Sequence, residues 1–317
     1  SGIWALRPLP MVSEVTDISI EPQTKVRDIA KVVVASGIDV DPHVLFAFFR
    51  LSGQSRLLRA GSYEVANGES ALDLLRKLTR GEESLKAISL IDGWTFRQVR
   101  AALARAEGLR RETEGLSDED IMRRLGRSGV AAEGRFYPDT YAYGKGSSDW
   151  SLLARALKAM DHKIEQAWAQ RTSANVLTTP EQMLILASII EKETGRREDR
   201  GMVSSVFHNR LNIDMPLQTD PTVIYGLFGQ YQGRLRRADL MQDHPWNTYT
   251  RKGLPPTPIA MPGRNALKAA VQPASSAALY FVAKGDGTSY FSTTLDEHNA
   301  AVNRYQRRLG GAASQAK

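Results

Sequence analysis

Two carboxylate side chains at the end of an apolar segment are the strongest candidates for chemistry in this sequence. The segment from Pro180 is apolar almost all round, which predicts a buried helix, yet it ends in Glu191-Lys192-Glu193. Burial disfavours the charged form of a carboxyl group and therefore raises its pKa. A carboxyl group with a pKa near neutrality can act as a general acid and protonate a leaving oxygen, as glycan cleavage requires.

Helical spacing alone leaves the choice between the two glutamates open. They lie against different apolar residues of the same helix, namely Met183, Leu184 and Ala187 for Glu191, and Leu186, Ile189 and Ile190 for Glu193. The alternative is a helix end whose glutamates reach water or pair with neighbouring cations, namely Lys192, Arg196 or Arg197. The pattern gives the catalytic and the structural interpretation equal weight.

A second group of polar side chains has the types that recognise sugar hydroxyl and acetamido groups. These candidate substrate contacts are Glu193, Gln218, Thr219, Asp220, Tyr225, Asn247 and Tyr249. Structural roles explain some of them at least as well, because Asp220 is typical of a helix N-terminus and Asn247 of a turn. Trp246 is either a platform for sugar stacking or a loop residue packed on its neighbours.

Several common kinds of active site are excluded. The sequence has no phosphate loop of the form G-x-x-x-x-G-K-[ST], no H-E-x-x-H and no G-x-S-x-G. It has no cysteine, which excludes disulfides, thiolate ligands and a cysteine nucleophile. Its 5 histidines are scattered without the spacing of metal ligands, so we expect no metal site.

The charge balance indicates an anionic partner or an ordinary basic surface. Net charge is +7, from 42 Lys and Arg against 35 Asp and Glu. Nucleic acid, an anionic membrane surface and a cell-wall polymer would all suit this balance. The basic clusters are short and lack interleaved aromatic residues, which argues against a nucleic-acid partner.

The first half of the chain reads as strand–helix units. Residues 1–12 are predicted to be a linker, and a strand–helix pattern starts at Val15. The pattern recurs at an offset of 70 residues, where Ile88-Ser89-Leu90 echoes Ile18-Ser19-Ile20. A turn-rich stretch then predicts a domain boundary after residue 145.

The second half, residues 146–310, is predicted to be mainly helical, which makes the whole chain α+β. Its clearest signal is Thr179 as N-cap, Pro180 at the first helical position and Gln182 closing a capping box. Lys284-Gly285-Asp286-Gly287 predicts the turn of a β-hairpin. Residues 311–317 are predicted to be a disordered tail.

Long motifs in the right order resemble the MltG (YceG-like) endolytic murein transglycosylases over nearly the whole chain. In the first half they are LRAGSYEV (58–65), DGWTFRQV (92–99) and FYPDTYAY (136–143). In the second half they are LASIIEKETG (186–195), SVFHNRL (205–211), LQTDPTVIYG (217–226), NTYT (247–250), GLPP (253–256), LYFVAKGDG (279–287) and EHN (297–299). Asp92 is a departure, because the family usually has glutamate there.

The resemblance implies which glutamate is catalytic and how it acts. The family's catalytic residue is the first glutamate of E-K-E-T, which is Glu191 here. It would protonate the oxygen between N-acetylmuramic acid and N-acetylglucosamine, and then take a proton from the muramyl 6-hydroxyl as that group closes a 1,6-anhydro ring. The substrate supplies the nucleophile, so no cofactor is expected. Cleavage of nascent strands in this way would terminate their elongation.

The resemblance also implies a domain plan and a location. Residues 13–145 would be a LysM-like region, a glycan-binding βααβ unit, and residues 146–310 the YceG-like catalytic domain. The family is anchored in the bacterial inner membrane by one N-terminal helix, absent from this sequence, with the remainder in the periplasm. Expected partners are peptidoglycan glycan strands and peptidoglycan synthases. The alternative is a non-catalytic peptidoglycan-binding scaffold protein.

Overall fold

The structure, a computed structural model, describes residues 4–312, with side chains up to residue 305. The helices of the first half are α1 (Val26–Ala35), α2 (Pro42–Leu51), α3 (Ala71–Arg80), α4 (Phe96–Arg105) and α5 (Asp118–Arg124). Those of the second half are α6 (Asp149–Ala169), α7 (Pro180–Glu193), α8 (Arg200–Asn212), α9 (Asp220–Gly226), α10 (Arg237–Met241), α11 (Arg264–Val271) and α12 (Leu295–Ala312). Short 3-10 helices cover Trp4–Leu6 and Ser55–Leu57.

The strands form antiparallel pairs, and the α+β class is confirmed. They are β1 (Val15–Ile20), β2 (Gly61–Ala66), β3 (Leu85–Ser89), β4 (Thr140–Gly144), β5 (Tyr280–Ala283) and β6 (Ser289–Ser292). Each pairs with one partner within the described residues, β1 with β2, β3 with β4 and β5 with β6. The last pair is the predicted hairpin, closed where the Lys284 N–H donates to the Thr288 carbonyl at 2.8 Å.

The chain packs as two units that interleave along the sequence. The first holds Ser1–Ser89, Arg100–Gly115 and Thr140–Leu153, and the second Leu90–Val99, Leu116–Asp139 and Ala154–Lys317. The division therefore differs from the single predicted boundary after residue 145. The reason is that segments 90–99 and 116–139 make their contacts with residues far along the chain, which local patterns do not reveal.

The first unit contains the order β1-α1-α2-β2, with β1 and β2 paired from Val15–Ala66 to Ile20–Gly61. The predicted linker is part of this packing as far as it is described. Leu9 is 3% exposed, and its N–H donates to the Glu69 carbonyl at 2.8 Å. An apolar side chain buried to this extent ties the segment to the core. Residues 1–3 lie outside the described residues.

The predicted repeat has a counterpart in the order of elements. α4 begins and ends 70 residues after α1, and β3 begins 70 residues after β1. β3 is followed by α4, α5 and β4, as β1 is followed by α1, α2 and β2. The sequence echo at this offset therefore coincides with a repeated strand–helix–helix–strand order.

The second unit is built around α7, which is buried along most of its length. All residues from Met183 to Ile190 are buried, against α8 and α11 among others. The Thr179 hydroxyl accepts from the Gln182 N–H at 3.2 Å, as predicted for an N-cap. The Gln182 side chain accepts from the Thr178 N–H at 2.8 Å, so the predicted capping box is displaced by one residue. These N-terminal hydrogen bonds and the burial of α7 together fix the position of its last turn.

The C-terminal helix extends into the first residues of the predicted tail. α12 runs to Ala312, so the predicted tail begins inside a helix, because the helical backbone continues past Gly310. Residues 313–317 lie outside the described residues. Between residues 4 and 312, no helix combines the length and the apolar character that crossing a membrane requires.

Candidate active site

Glu191 occupies the last turn of α7, and its side chain is almost entirely shielded from water. The side chain is 5% exposed, and that of Arg200, at the start of α8, is 11% exposed. An Arg200 guanidinium N–H donates to Glu191 Oε1 at 2.8 Å. The N–H of Gly263, the N-cap of α11, donates to Glu191 Oε2 at 2.8 Å. Both carboxyl oxygens are therefore held by donors from other elements.

Opposing influences set the protonation of Glu191. Burial raises its pKa, and the nearby Asp92 carboxylate adds to this by repulsion. The Gly263 N–H, Arg200 and Lys192 favour the carboxylate and lower the pKa. The balance leaves the pKa raised, because the loss of hydration outweighs these stabilising contacts. Such a group can hold a proton at higher pH than an ordinary glutamate and still be stabilised once it has released it.

The loop of Asp92, Gly93 and Trp94 covers one side of this carboxyl group. The Gly93 N–H donates to the Met261 carbonyl at 2.8 Å, and the Met261 N–H to the Trp94 carbonyl at 2.7 Å. A Cβ on Gly93 would lie 3.8 Å from Cγ of Glu191. Burial raises the pKa of Asp92 as well, against the lowering effect of Arg200. The loop thus brings a second carboxyl group near Glu191, on a residue that is itself exposed.

Gly263 leaves room for Asp92, and this close approach supports a stability prediction. A Cβ on Gly263 would lie 2.5 Å from Oδ1 of Asp92. We expect Gly263→Ala to lower the free energy of unfolding by about 1 kcal/mol, the low end of overpacking, because the clashing atoms end an exposed side chain that can shift. Activity should fall as well, since the Gly263 N–H would shift from Glu191. Thermal unfolding and strand-cleavage assays on the same preparations measure both effects.

Gly195 provides the matched control, because a Cβ there meets nothing within 4 Å. Gly195→Ala should leave unfolding and cleavage close to wild type. Combining Gly263→Ala with Asp92→Ala should recover most of the stability, since the clashing carboxylate is removed. A Gly263→Ala protein as stable as Gly195→Ala would contradict the close contact.

Glu193 faces a different group of residues. The Thr219 hydroxyl donates to the Glu193 carboxyl group. Burial raises the pKa of Glu193 to about 7, and the Asp220 carboxylate adds to the rise, while Thr219 and Arg210 lower it. The Tyr249 hydroxyl in turn donates to Asp220 at 2.6 Å. The structure therefore brings together Glu193, Thr219, Asp220 and Tyr249 from the set predicted to contact substrate.

Gln218 joins this group through a buried cation and an unusual backbone. The Arg210 guanidinium donates to the carbonyls of Pro216 at 3.1 Å and Leu217 at 2.9 Å, and contacts the Gln218 side-chain oxygen at 3.5 Å. Gln218 has φ of +50°, a left-handed conformation that non-glycine residues rarely adopt. Thr219 is 2% exposed, and its N–H donates to the Thr248 hydroxyl at 3.0 Å. Thr219 therefore holds the turn in place and is shielded from solvent.

Asn247 and Tyr225 do not belong to this group. Asn247 is fully buried, and its amide donates to the carbonyls of Leu240 at 3.0 Å and Gln242 at 2.7 Å. Its side-chain oxygen accepts from the Tyr249 N–H at 2.9 Å. Every polar function of Asn247 is thus occupied by backbone groups, so these contacts do not support its predicted role as a substrate contact, which stays a prediction. Tyr225 lies elsewhere, hydrogen-bonded to Glu133.

Comparison with known proteins places the chain in a family. The model of the YceG-like family matches residues 18–304. The chain belongs to the YceG-like family. This YceG-like chain is similar to a yceG-like protein from Listeria monocytogenes whose crystal structure was determined at 2.6 Å. The TM-score is 0.56 and the sequence identity is 28%. The match covers 90% of this chain and 98% of the Listeria chain.

Curated relatives carry the name endolytic murein transglycosylase. The one from Bacillus subtilis (strain 168) is 29% identical over 322 residues, covering 96% of this YceG-like chain and 89% of the relative. The one from Streptococcus pneumoniae serotype 2 (strain D39) is 27% identical over 318 residues, covering 90% of this chain. The match spans 57% of the pneumococcal relative's length.

Sequence reasoning missed four residues around the buried carboxyl groups of this YceG-like chain. They are Asp92, Glu133, Arg200 and Gly263. Arg200 follows Glu191 by only 9 residues, and a search for a cation near the helix end could have found it. Gly263 is 72 residues away, and its N–H has no sequence signal. Glu133 directly precedes an aromatic segment that starts at Gly134, and no local pattern there indicates a buried carboxyl group.

Proposed function

We propose that this YceG-like chain is an endolytic lytic transglycosylase that cleaves the bond between N-acetylmuramic acid and N-acetylglucosamine, with Glu191 as its catalytic acid and base. The observation that carries the proposal is the state of Glu191, buried, with a raised pKa, and held at both oxygens by Arg200 and the Gly263 N–H. The name shared by the curated relatives supports the same activity.

The contacts of Glu191 suit both halves of this reaction. The protonated carboxyl group gives its proton to the glycosidic oxygen as the bond from that oxygen to the muramyl anomeric carbon breaks. Arg200 and the Gly263 N–H then stabilise the carboxylate that remains. The muramyl 6-hydroxyl oxygen attacks the anomeric carbon and releases its proton to Glu191. The ring closes as a 1,6-anhydro product, and the enzyme regains its starting protonation.

The polar group around Glu193 is the proposed place for sugar contacts. Gln218, Asp220 and Tyr249 carry amide, carboxylate and phenol groups on one turn and its neighbour. The contacts of Thr219 with Glu193 and Thr248 fix that turn. Preorganised polar groups of this kind stabilise charge that develops during reaction without reorganising at that moment.

The remaining parts of the proposal concern the cell wall as a whole. The order β1-α1-α2-β2 of residues 15–66 agrees with a LysM-like glycan-binding unit. A protein of this activity would work in the periplasm, tethered to the inner membrane by an N-terminal anchor. It would meet strands as peptidoglycan synthases extend them, and cleavage there would end their elongation.

The product decides this proposal. Glycan strands incubated with the chain should yield internal fragments ending in 1,6-anhydromuramic acid, detected by mass spectrometry from the loss of one water relative to a reducing end. Reducing ends would show hydrolysis and refute the transglycosylase mechanism. Strands that are bound but remain intact would favour the scaffold protein instead.

A further inference from the structure

A cleft in the second unit lies beside residues that the proposed reaction does not use. Its volume is about 980 Å³. Five aromatic residues line it, namely Phe96, Tyr225, Phe228, Tyr231 and Trp246. A cleft of this size with an apolar wall and a few polar groups is typical of a small-ligand site.

Phe228 presents an exposed ring at this cleft in a strained conformation. Its φ is +45°, in the left-handed region that bulky residues avoid, and the residue is 57% exposed. Its ring stands at 90° to that of Trp246 with 5.1 Å between centroids, and at 56° to that of Tyr225 with 5.9 Å. Strain of this kind persists where the surroundings impose it, often at ligand sites. The three rings thus form an aromatic wall, and the Phe228 ring is the part of this wall that is exposed to solvent.

Glu133 supplies a shielded hydrogen-bonding group to the same cleft. It lines the cleft and is 8% exposed. The Phe96 N–H donates to its Oε1 at 2.9 Å, and the Tyr225 hydroxyl also bonds its carboxyl group. Burial raises the pKa of Glu133 to about 7, against the lowering effect of these donors. The carboxyl group is therefore fixed in orientation, and its pKa lies close to physiological pH.

This combination selects against two other classes of ligand. A purely apolar ligand would displace water from Glu133 and Tyr225. It could not replace the hydrogen bonds that the water makes, and this loss is costly. A polyanion would meet the carboxyl groups of Asp118, Glu119 and Glu133, which outnumber the two cations that line the cleft, Arg97 and Lys192. A sugar ring has an apolar face for stacking and hydroxyl and acetamido groups at its edge, so it satisfies both kinds of wall.

We propose that this aromatic cleft binds an N-acetylated sugar unit of the glycan strand, which stacks on the exposed ring of Phe228, contacts Trp246 beside it, and hydrogen-bonds to Glu133 and Tyr225. The inference rests on the proposed function for the identity of the ligand as a glycan. It goes further by giving the strand a second place of attachment, next to Glu191 on the side of Lys192, which also lines the cleft.

The test uses the whole chain with Glu191→Gln, so that no cleavage accompanies binding. The chain has 5 tryptophans, and replacing them with 5-fluorotryptophan gives each a ¹⁹F resonance, with that of Trp246 assigned by Trp246→Phe. The probe is the N-acetylglucosamine hexamer. We expect the Trp246 resonance to shift on titration. This readout reports the cleft alone, whatever the hexamer does at the LysM-like unit.

Two variants and a matched control test whether binding depends on residues of the cleft. Phe228→Ala should weaken the binding seen at Trp246 about fivefold, the size expected for one lost aromatic contact, and Tyr225→Phe about threefold. Ile213 is also 57% exposed but does not line the cleft, so Ile213→Ala should bind as the parent does. The ¹⁹F spectrum of each free variant confirms that it is folded.

The outcomes separate this inference from the proposed function. A Trp246 resonance that stays in place while other tryptophans saturate overturns the cleft as a sugar site, even if wild-type protein produces anhydro ends. Equal binding by Phe228→Ala and Ile213→Ala overturns it as well. A Trp246 shift that depends on Phe228 supports it, even if wild-type protein fails to cleave strands.

Discussion

Glutamine in place of Glu191 is expected to lower the rate of strand cleavage by about 10³-fold, the usual contribution of a general acid and base. The amide keeps the size of the side chain, and its oxygen can still accept from Arg200 or the Gly263 N–H. It cannot deliver a proton to the glycosidic oxygen, so the first bond-breaking step loses its acid. The rate of formation of 1,6-anhydro ends, measured by mass spectrometry, checks this expectation.

Controls for this substitution come from the same region of the chain. Glu198 has a side chain that is 72% exposed, and Glu198→Gln removes an acidic charge without disturbing the site. It should cleave at the wild-type rate. Glu193→Gln tests the other buried glutamate, and a moderate loss there with a large loss at Glu191 would separate positioning from acid catalysis. Comparable activity of Glu191→Gln and Glu198→Gln would refute the assignment of Glu191.

Removal of Arg200 is expected to have the second-largest effect, on both stability and pH dependence. Arg200→Gln breaks a buried ion pair and leaves Glu191 without its cation, which should lower the free energy of unfolding by about 3 kcal/mol near neutral pH. Because Arg200 favours the carboxylate, its loss raises the pKa of Glu191 further. The acid then stays protonated to higher pH, and the alkaline limb of the pH–rate profile should move upward.

The sign of the stability effect with pH follows from the same shift. The pKa of Glu191 lies above its ordinary 4.5 in the folded protein, so ionisation costs folding free energy as pH rises through the folded pKa. Without Arg200 this cost is larger. The difference between Arg200→Gln and wild type should therefore shrink at pH below 4.5, where the carboxyl group is protonated in both states. Denaturant unfolding across this range measures it.

Asp92→Asn is the variant of opposite sign. The Asp92 carboxylate raises the pKa of Glu191, so its neutral replacement should move the alkaline limb downward, by less than Arg200→Gln moves it upward. Limbs that move in the same direction in both variants would show that Glu191 is not the group that titrates. Asp92→Asn and Arg200→Gln together thus test the electrostatic account through the direction in which each variant moves the alkaline limb.

Local sequence patterns predicted the scaffold of the site better than the site itself. The start of α7 followed from Thr179 and Pro180, because capping is a contact between residues close in sequence. The burial of Glu191 followed from its helix face. Its choice over Glu193 came from the family resemblance, since both glutamates lie against apolar residues and burial raises the pKa of both.

The partners of Glu191 and the hydrogen bonds of Asn247 could not be predicted without the fold. The Gly263 N–H is a backbone group, which has the same chemistry in every sequence and reaches Glu191 only when α11 packs on α7. Asn247 has a side chain suited to sugars, but folding places it among carbonyl groups that use all of its hydrogen-bonding capacity. Residue type gives what a side chain can bond, and only packing gives what it does bond.

The uninterrupted burial of α7 from Met183 to Ile190 has a consequence for how the site fails. Local fraying cannot open the interior of this helix without exposing much of the core of its unit. Its amide hydrogens should therefore exchange with solvent only through unfolding on the scale of the whole unit. On heating, the geometry at Glu191 should persist until the unit melts, so loss of activity and loss of structure should share one transition.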